Sequence, residues 1–138
     1  IQPQHAMDDR DVIARFWGTP AGIPYAFNSL HKAGTKLLMG SDAPVAPLDP
    51  WLAISAAVFG TESSDREPFQ PEQCLDFETA LASSTAVGRV ALRDADAADL
   101  VLLDCDPSII DSPEAMRAMP EHVLGTMLAG RWTYQQAE

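Results

Sequence analysis

The chain has 138 residues, 46% of them hydrophobic, and carries 20 acidic against 9 basic side chains for a formal net charge of -11. That length suffices for one domain with a real core, and that charge disfavours nucleic acid and anionic membrane surfaces, both polyanions, as partners. No apolar run approaches the roughly 18 residues that span a bilayer, and two distant cysteines outside any CxxC pattern, Cys74 and Cys105, point to packing roles in a reducing, cytoplasmic setting.

The opening Ile1-Gln2-Pro3-Gln4-His5 has no initiator Met and reads as the middle of a domain, with residues 1–3 ending a strand. Residues 8–17, DDRDVIARFW, predict a helix with an acidic first turn and an apolar stripe of Val12, Ile13, Phe16 and Trp17. After the loop TPAGIP, residues 25–33 predict a second helix with Phe27 and Leu30 inward and Gly34 as its stop. A strand over residues 36–39 follows directly, completing the αβ half of a βαβ unit.

The stretch LLMGSDAPVAPLDP, residues 37–50, is the most informative one. Its apolar start reads as a buried strand, broken by Gly40 and Ser41, with Asp42 at the carboxyl end where parallel sheets build their sites. Asp42 is there either as a site residue or as an aspartate of a cap or Asx turn. Residues 51–59, WLAISAAVF, predict a buried helix with Pro50 near its first turn. Residues 60–71 read as surface loop. Residues 76–82 read as a short helix capped by Asp76, extending as far as residue 90, and residues 93–97 as an acidic turn. ADLVLLD, residues 98–104, is the clearest strand, with its apolar run buried. A brief helix over residues 113–119 precedes two strands, residues 123–128 and 131–134, joined at Ala129-Gly130 as a hairpin. The pattern changes near Leu92 from alternating helices and strands to strands joined by turns.

Three histidines are available. His31 lies at a helix end that favours cations, and His122 precedes a strand as a surface residue. His5 differs, because it follows a strand end on the same edge as Asp42. Imidazole and carboxylate are natural zinc ligands, although a zinc site needs three or four. No P-loop, GxGxxG or GxSxG is present, so phosphate cradles and a serine nucleophile elbow have no support. Trp17, Trp51 and Phe59 read as core.

QPQH, YAFNSLHKAG leading into LLMGSDAPVAPLDP, PEQ with ETALASST, ADLVLLDCDP and a final GR turn occur in that order. Together they resemble the carboxyl-terminal portion of the amidohydrolase superfamily, in particular amidohydrolase family three, which includes N-substituted formamide deformylase-like proteins. The resemblance implies an α/β fold: the last strands and helices of a (β/α)8 TIM barrel over residues 1–91, then strands of a small β-sandwich over residues 92–138. It implies hydrolysis of C–N (amide-type) bonds in a small-molecule substrate by a metal-activated water. The cofactor would be a divalent metal, with zinc the expected ion, one or two per complete enzyme. His5 would correspond to the ligand histidine after the sixth strand. Asp42 would correspond to the aspartate after the eighth, a metal ligand that also takes a proton from the water. The family's HxH after the first strand, the bridging residue after the fourth and the histidine after the fifth have no counterpart here, so the missing N-terminal half of the barrel is an implied partner. The alternative is a non-catalytic remnant or an α/β association module without metal, forming a homo-oligomer through the open edge.

Overall fold

The computed structural model describes residues 1–18, 22–86, 88, 91, 93–94 and 96–137. Among the described residues, five α-helices precede or flank a three-stranded antiparallel sheet. Among the described residues, no helix is long and apolar enough to cross a membrane.

Helix α1 spans Pro3–Phe16, beginning five residues before the predicted start. Pro3 at the first helical position explains this: its fixed φ suits the helix and its missing N–H is not needed there. The acidic residues expected in the first turn therefore stand further in, where Asp11 pairs with Arg66 at 2.5 Å on the surface. The expected apolar stripe is not a core face either. Ile13 is buried, while Val12, Phe16 and Trp17 are exposed, Trp17 to 63%. Helix α2 (Phe27–Lys32) buries Phe27 and leaves Leu30 exposed. Gly34, at φ +83, ends it as expected.

Residues 36–39 run extended, with Leu37 buried and Leu38 exposed. No element of the sheet pairs with them. Their neighbour is the start of the chain: Ile1 donates its N–H to Leu38 O at 2.8 Å, and Gly40 donates to Ile1 O at 3.0 Å. A residue bonded to the positions before and after its partner makes a parallel bridge, here between Ile1 and Met39. On the other side, Met39 donates to Ser83 O at 2.8 Å.

Helix α3 (Pro50–Phe59) organises the core. Asp49 caps it by accepting from Trp51 N–H at 2.9 Å, and Pro50 opens it. Ile54 and Ala57 are 1% exposed. The helix packs against α1, against α4 (Phe77–Ser83) and against α5 (Pro113–Arg117). One cluster joins Met7, Phe27, Leu37, Trp51, Ile54, Leu75, Met116 and Met119, so a common core crosses residue 92. Trp51 is core as expected, Phe59 is half-buried at its margin, and Trp17 lies outside it. Gly60 ends α3 at φ +63, where an added Cβ would meet Cys74 Sγ at 2.8 Å and Phe69 O at 3.0 Å. Asp76 caps α4 as predicted, accepting from Thr79 N–H at 2.8 Å. That bond holds the Asp76 carboxyl below its usual pKa. The helix stops at Ser83 rather than running on.

Strands β1 (Leu100–Leu103), β2 (Val123–Leu128) and β3 (Arg131–Gln135) lie in sequence order. The hairpin forms where predicted, with Ala129 and Gly130 both at positive φ. β1 departs from expectation in burial: Val101 and Leu102 are 59% and 49% exposed. The reason is placement. The sheet meets the core near its end, through the partly buried Leu103 and Cys105.

Candidate functional site

The bridge between Ile1 and Met39 sets two chain segments side by side, and the predicted site residues follow each of them. After Ile1 the chain turns into α1, so His5 sits in the helix's first turn, not on a strand end. His5 N–H donates to Gln2 O at 3.1 Å. The side chain is half-buried, and its Nε2 is shielded from solvent with no hydrogen-bond partner. Buried polar atoms are normally paired, so this unpartnered ring nitrogen stands out among the described residues. The turn is held from behind by Gln4, which donates to Glu62 Oε1 at 3.0 Å, while Arg117 reaches Glu62 at 3.5 Å.

After Met39 the chain passes Gly40 and Ser41 and turns at Asp42, which adopts φ +58, a region that Asp tolerates better than most residues. Asp42 O accepts from Val45 N–H at 2.9 Å, and Ser41 Oγ accepts from Ala43 N–H at 3.3 Å. The Asp42 carboxylate is exposed and makes no hydrogen bond or ion pair among the described residues. A cavity of about 290 Å³ lies between Met39–Ser41 and the Leu48–Pro50 approach to α3, and neither His5 nor Asp42 lines it. A larger one, about 730 Å³, lies between residues 31–37 and α4 and contains neither His5 nor Asp42. Among the described residues neither His5 nor Asp42 belongs to a compact group of three ligand-type side chains.

A compact group exists elsewhere. Ligand atoms of Asp104, Cys105 and His122 all lie within 4.8 Å of one another at the end of β1. His122 Nδ1 and Asp104 Oδ1 are 2.8 Å apart, and Asp104 N–H donates to His122 O at 3.1 Å. Partial desolvation, with Asp104 beside it, raises the Cys105 thiol pKa. The sequence reading assigned Cys105 to packing and His122 to the surface. Only the pairing of Leu103 with Val123 brings them together, and single-sequence spacing does not carry that.

The amidohydrolase family profile matches residues 1–134. The chain belongs to the amidohydrolase family. Among curated proteins it is similar to Protein LONG AFTER FAR-RED 3 of Arabidopsis thaliana, with 28% identity over 145 residues covering 97% of this chain and 24% of that protein. The chain thus spans about a quarter of the length of the curated relative it matches. No solved structure matches it significantly. Membership brings a hydrolase-type family to the two segments that carry His5 and Asp42.

Proposed function

We propose that this chain supplies the carboxyl-terminal part of a metal-dependent amidohydrolase that cleaves C–N bonds of a small amide-type substrate. One observation carries the reading most: the partnerless, shielded Nε2 of His5 on a segment bridged in parallel to the one leading into Asp42. That bridge supports reading residues 1 and 36–39 as neighbouring parallel strands, an adjacency that the sixth and eighth strands of a barrel do not have, so the barrel numbering rests on the resemblance alone; the three-stranded sheet would be part of the small β-sandwich. In such barrels the sites are built at the strands' carboxyl ends.

The donor set fits a divalent cation, zinc being the expected one. When bound, the cation supplies Lewis acidity that brings a water's pKa near neutrality. His5 would hold it through Nε2, and Asp42 through a carboxylate oxygen. Asp42 then accepts the proton of the attacking water and returns it to the leaving amine nitrogen. Remaining ligands and the substrate pocket come from outside these residues. The two free cysteines suit a reducing, cytoplasmic setting.

The test uses the full-length protein. Asp42 is exposed, so Asp42→Asn should keep the circular dichroism spectrum while turnover of a small amide panel falls by about two orders of magnitude or more. His5→Ala should lower the bound metal measured by elemental analysis. Unchanged turnover and metal content in both variants would sink the proposal. The exposed Val12, Phe16 and Trp17 favour a second reading, association through α1, which sedimentation of the full-length protein and of Phe16→Ala would test.

A further inference from the structure

Away from the His5 and Asp42 segments, we infer that Asp104, Cys105 and His122 form a second, sulfur-containing zinc site at the junction of the sheet with the helical core. The three side chains offer one oxygen, one sulfur and one nitrogen, a donor mixture that zinc accepts and that calcium or magnesium does not. Their ligand atoms already fall within 4.8 Å of one another. Zinc bonds of the usual lengths put tetrahedral ligand atoms about 3.3 to 3.8 Å apart. Reaching that range means closing the widest separation, at most 4.8 Å, by up to about 1.5 Å and widening the 2.8 Å contact between His122 Nδ1 and Asp104 Oδ1 by about 0.5 Å.

The backbone holds the three residues in place independently of any ion. The ladder register shifts between Leu102 and Leu103, re-aiming the residues that follow. Asp104 N–H is tied to His122 O. Beyond Cys105, Asp106 caps the next turn by accepting from Ser108 N–H at 2.9 Å. Cys105 Sγ lies 3.8 Å from Met119 Sδ, and Met119 is completely buried. Asp104 is exposed and the other two are half-buried, so an ion can enter and a fourth position faces solvent. On binding, the thiol proton and the proton between His122 Nδ1 and Asp104 Oδ1 would both pass to solvent, with the neutral imidazole keeping or taking up its one proton at Nε2.

Cobalt is the probe, because only a thiolate ligand gives a sulfur-to-cobalt charge-transfer absorption. Titration of metal-free full-length protein with Co²⁺ should produce that band, and excess Zn²⁺ should erase it. Cys105→Ser should abolish it, whereas Cys74→Ser and His5→Ala should leave it intact, separating this site from the one proposed above. His122→Ala, which keeps the sulfur, should weaken cobalt binding by about tenfold or more. A wild-type protein without the band would overturn the inference. So would a band that survives Cys105→Ser, or an affinity indifferent to His122→Ala.

Discussion

Ser64 donates twice to Glu114, from its backbone N–H at 2.6 Å to Oε1 and from its hydroxyl at 2.7 Å to Oε2. These bonds favour the carboxylate and pull the Glu114 pKa from 4.5 down to about 2. A pKa depressed on folding adds stability that is fully present above the unfolded value and disappears as pH falls through the folded one. The wild-type chain should therefore lose urea resistance between about pH 4.5 and about 2. Glu114→Gln should flatten that limb by lowering stability at neutral pH toward the acid level, the two proteins converging near pH 2. An identical acid limb in both proteins would refute the assignment. The same scale shows what residues disclose by themselves. Asp76 was readable as a cap because its type and position sufficed. Asp42 was readable as a turn residue after an apolar run, but neither its positive φ nor its exposure follows from its identity.

Helix ends are where the elements are most exacting. Gly60 and Gly34 both sit at positive φ after a helix, yet an added Cβ at Gly34 meets nothing within 4 Å, while at Gly60 it collides with Cys74 and Phe69. Gly34→Ala should cost about 1 kcal/mol, the conformational penalty alone. Gly60→Ala should cost clearly more, about 2 to 3 kcal/mol, because backbone must shift as well. Equal denaturation midpoints for the two variants would show that the crowding at Gly60 relaxes freely. Elements with local signals were legible: α3 with Pro50 near its first turn, α4 behind Asp76, the hairpin at Ala129-Gly130. The start of α1 was misplaced because Asp8 and Asp9 imitate a first turn, when Pro3 already supplied one.

At the scale of the whole chain, burial was the least legible property. Apolar runs such as that of β1 announce a strand without saying what covers it, and only the assembled sheet shows Val101 and Leu102 facing out. The core is clearer, since Ile54 stands at the contact of α3 with its neighbours and Met116 and Met119 join the same cluster. Ile54→Ala should cost about 2 to 5 kcal/mol. Near-UV signals from the sheet and helix signals from α1 and α3 should shift together in that variant. Separate transitions would mean that the segments on either side of residue 92 fold independently.

The bridge between Ile1 and Met39 has a topological consequence. It closes the intervening segment into a loop, and by chain statistics such a closure costs about 3 kcal/mol before any contact offsets it. Two hydrogen bonds do not cover that, so the packing of α1 on α3 must keep the loop shut. The segments that lead into His5 and Asp42 stay side by side only as long as that helix stays docked. Loosening α1 would therefore part these two segments while the rest of the core stands.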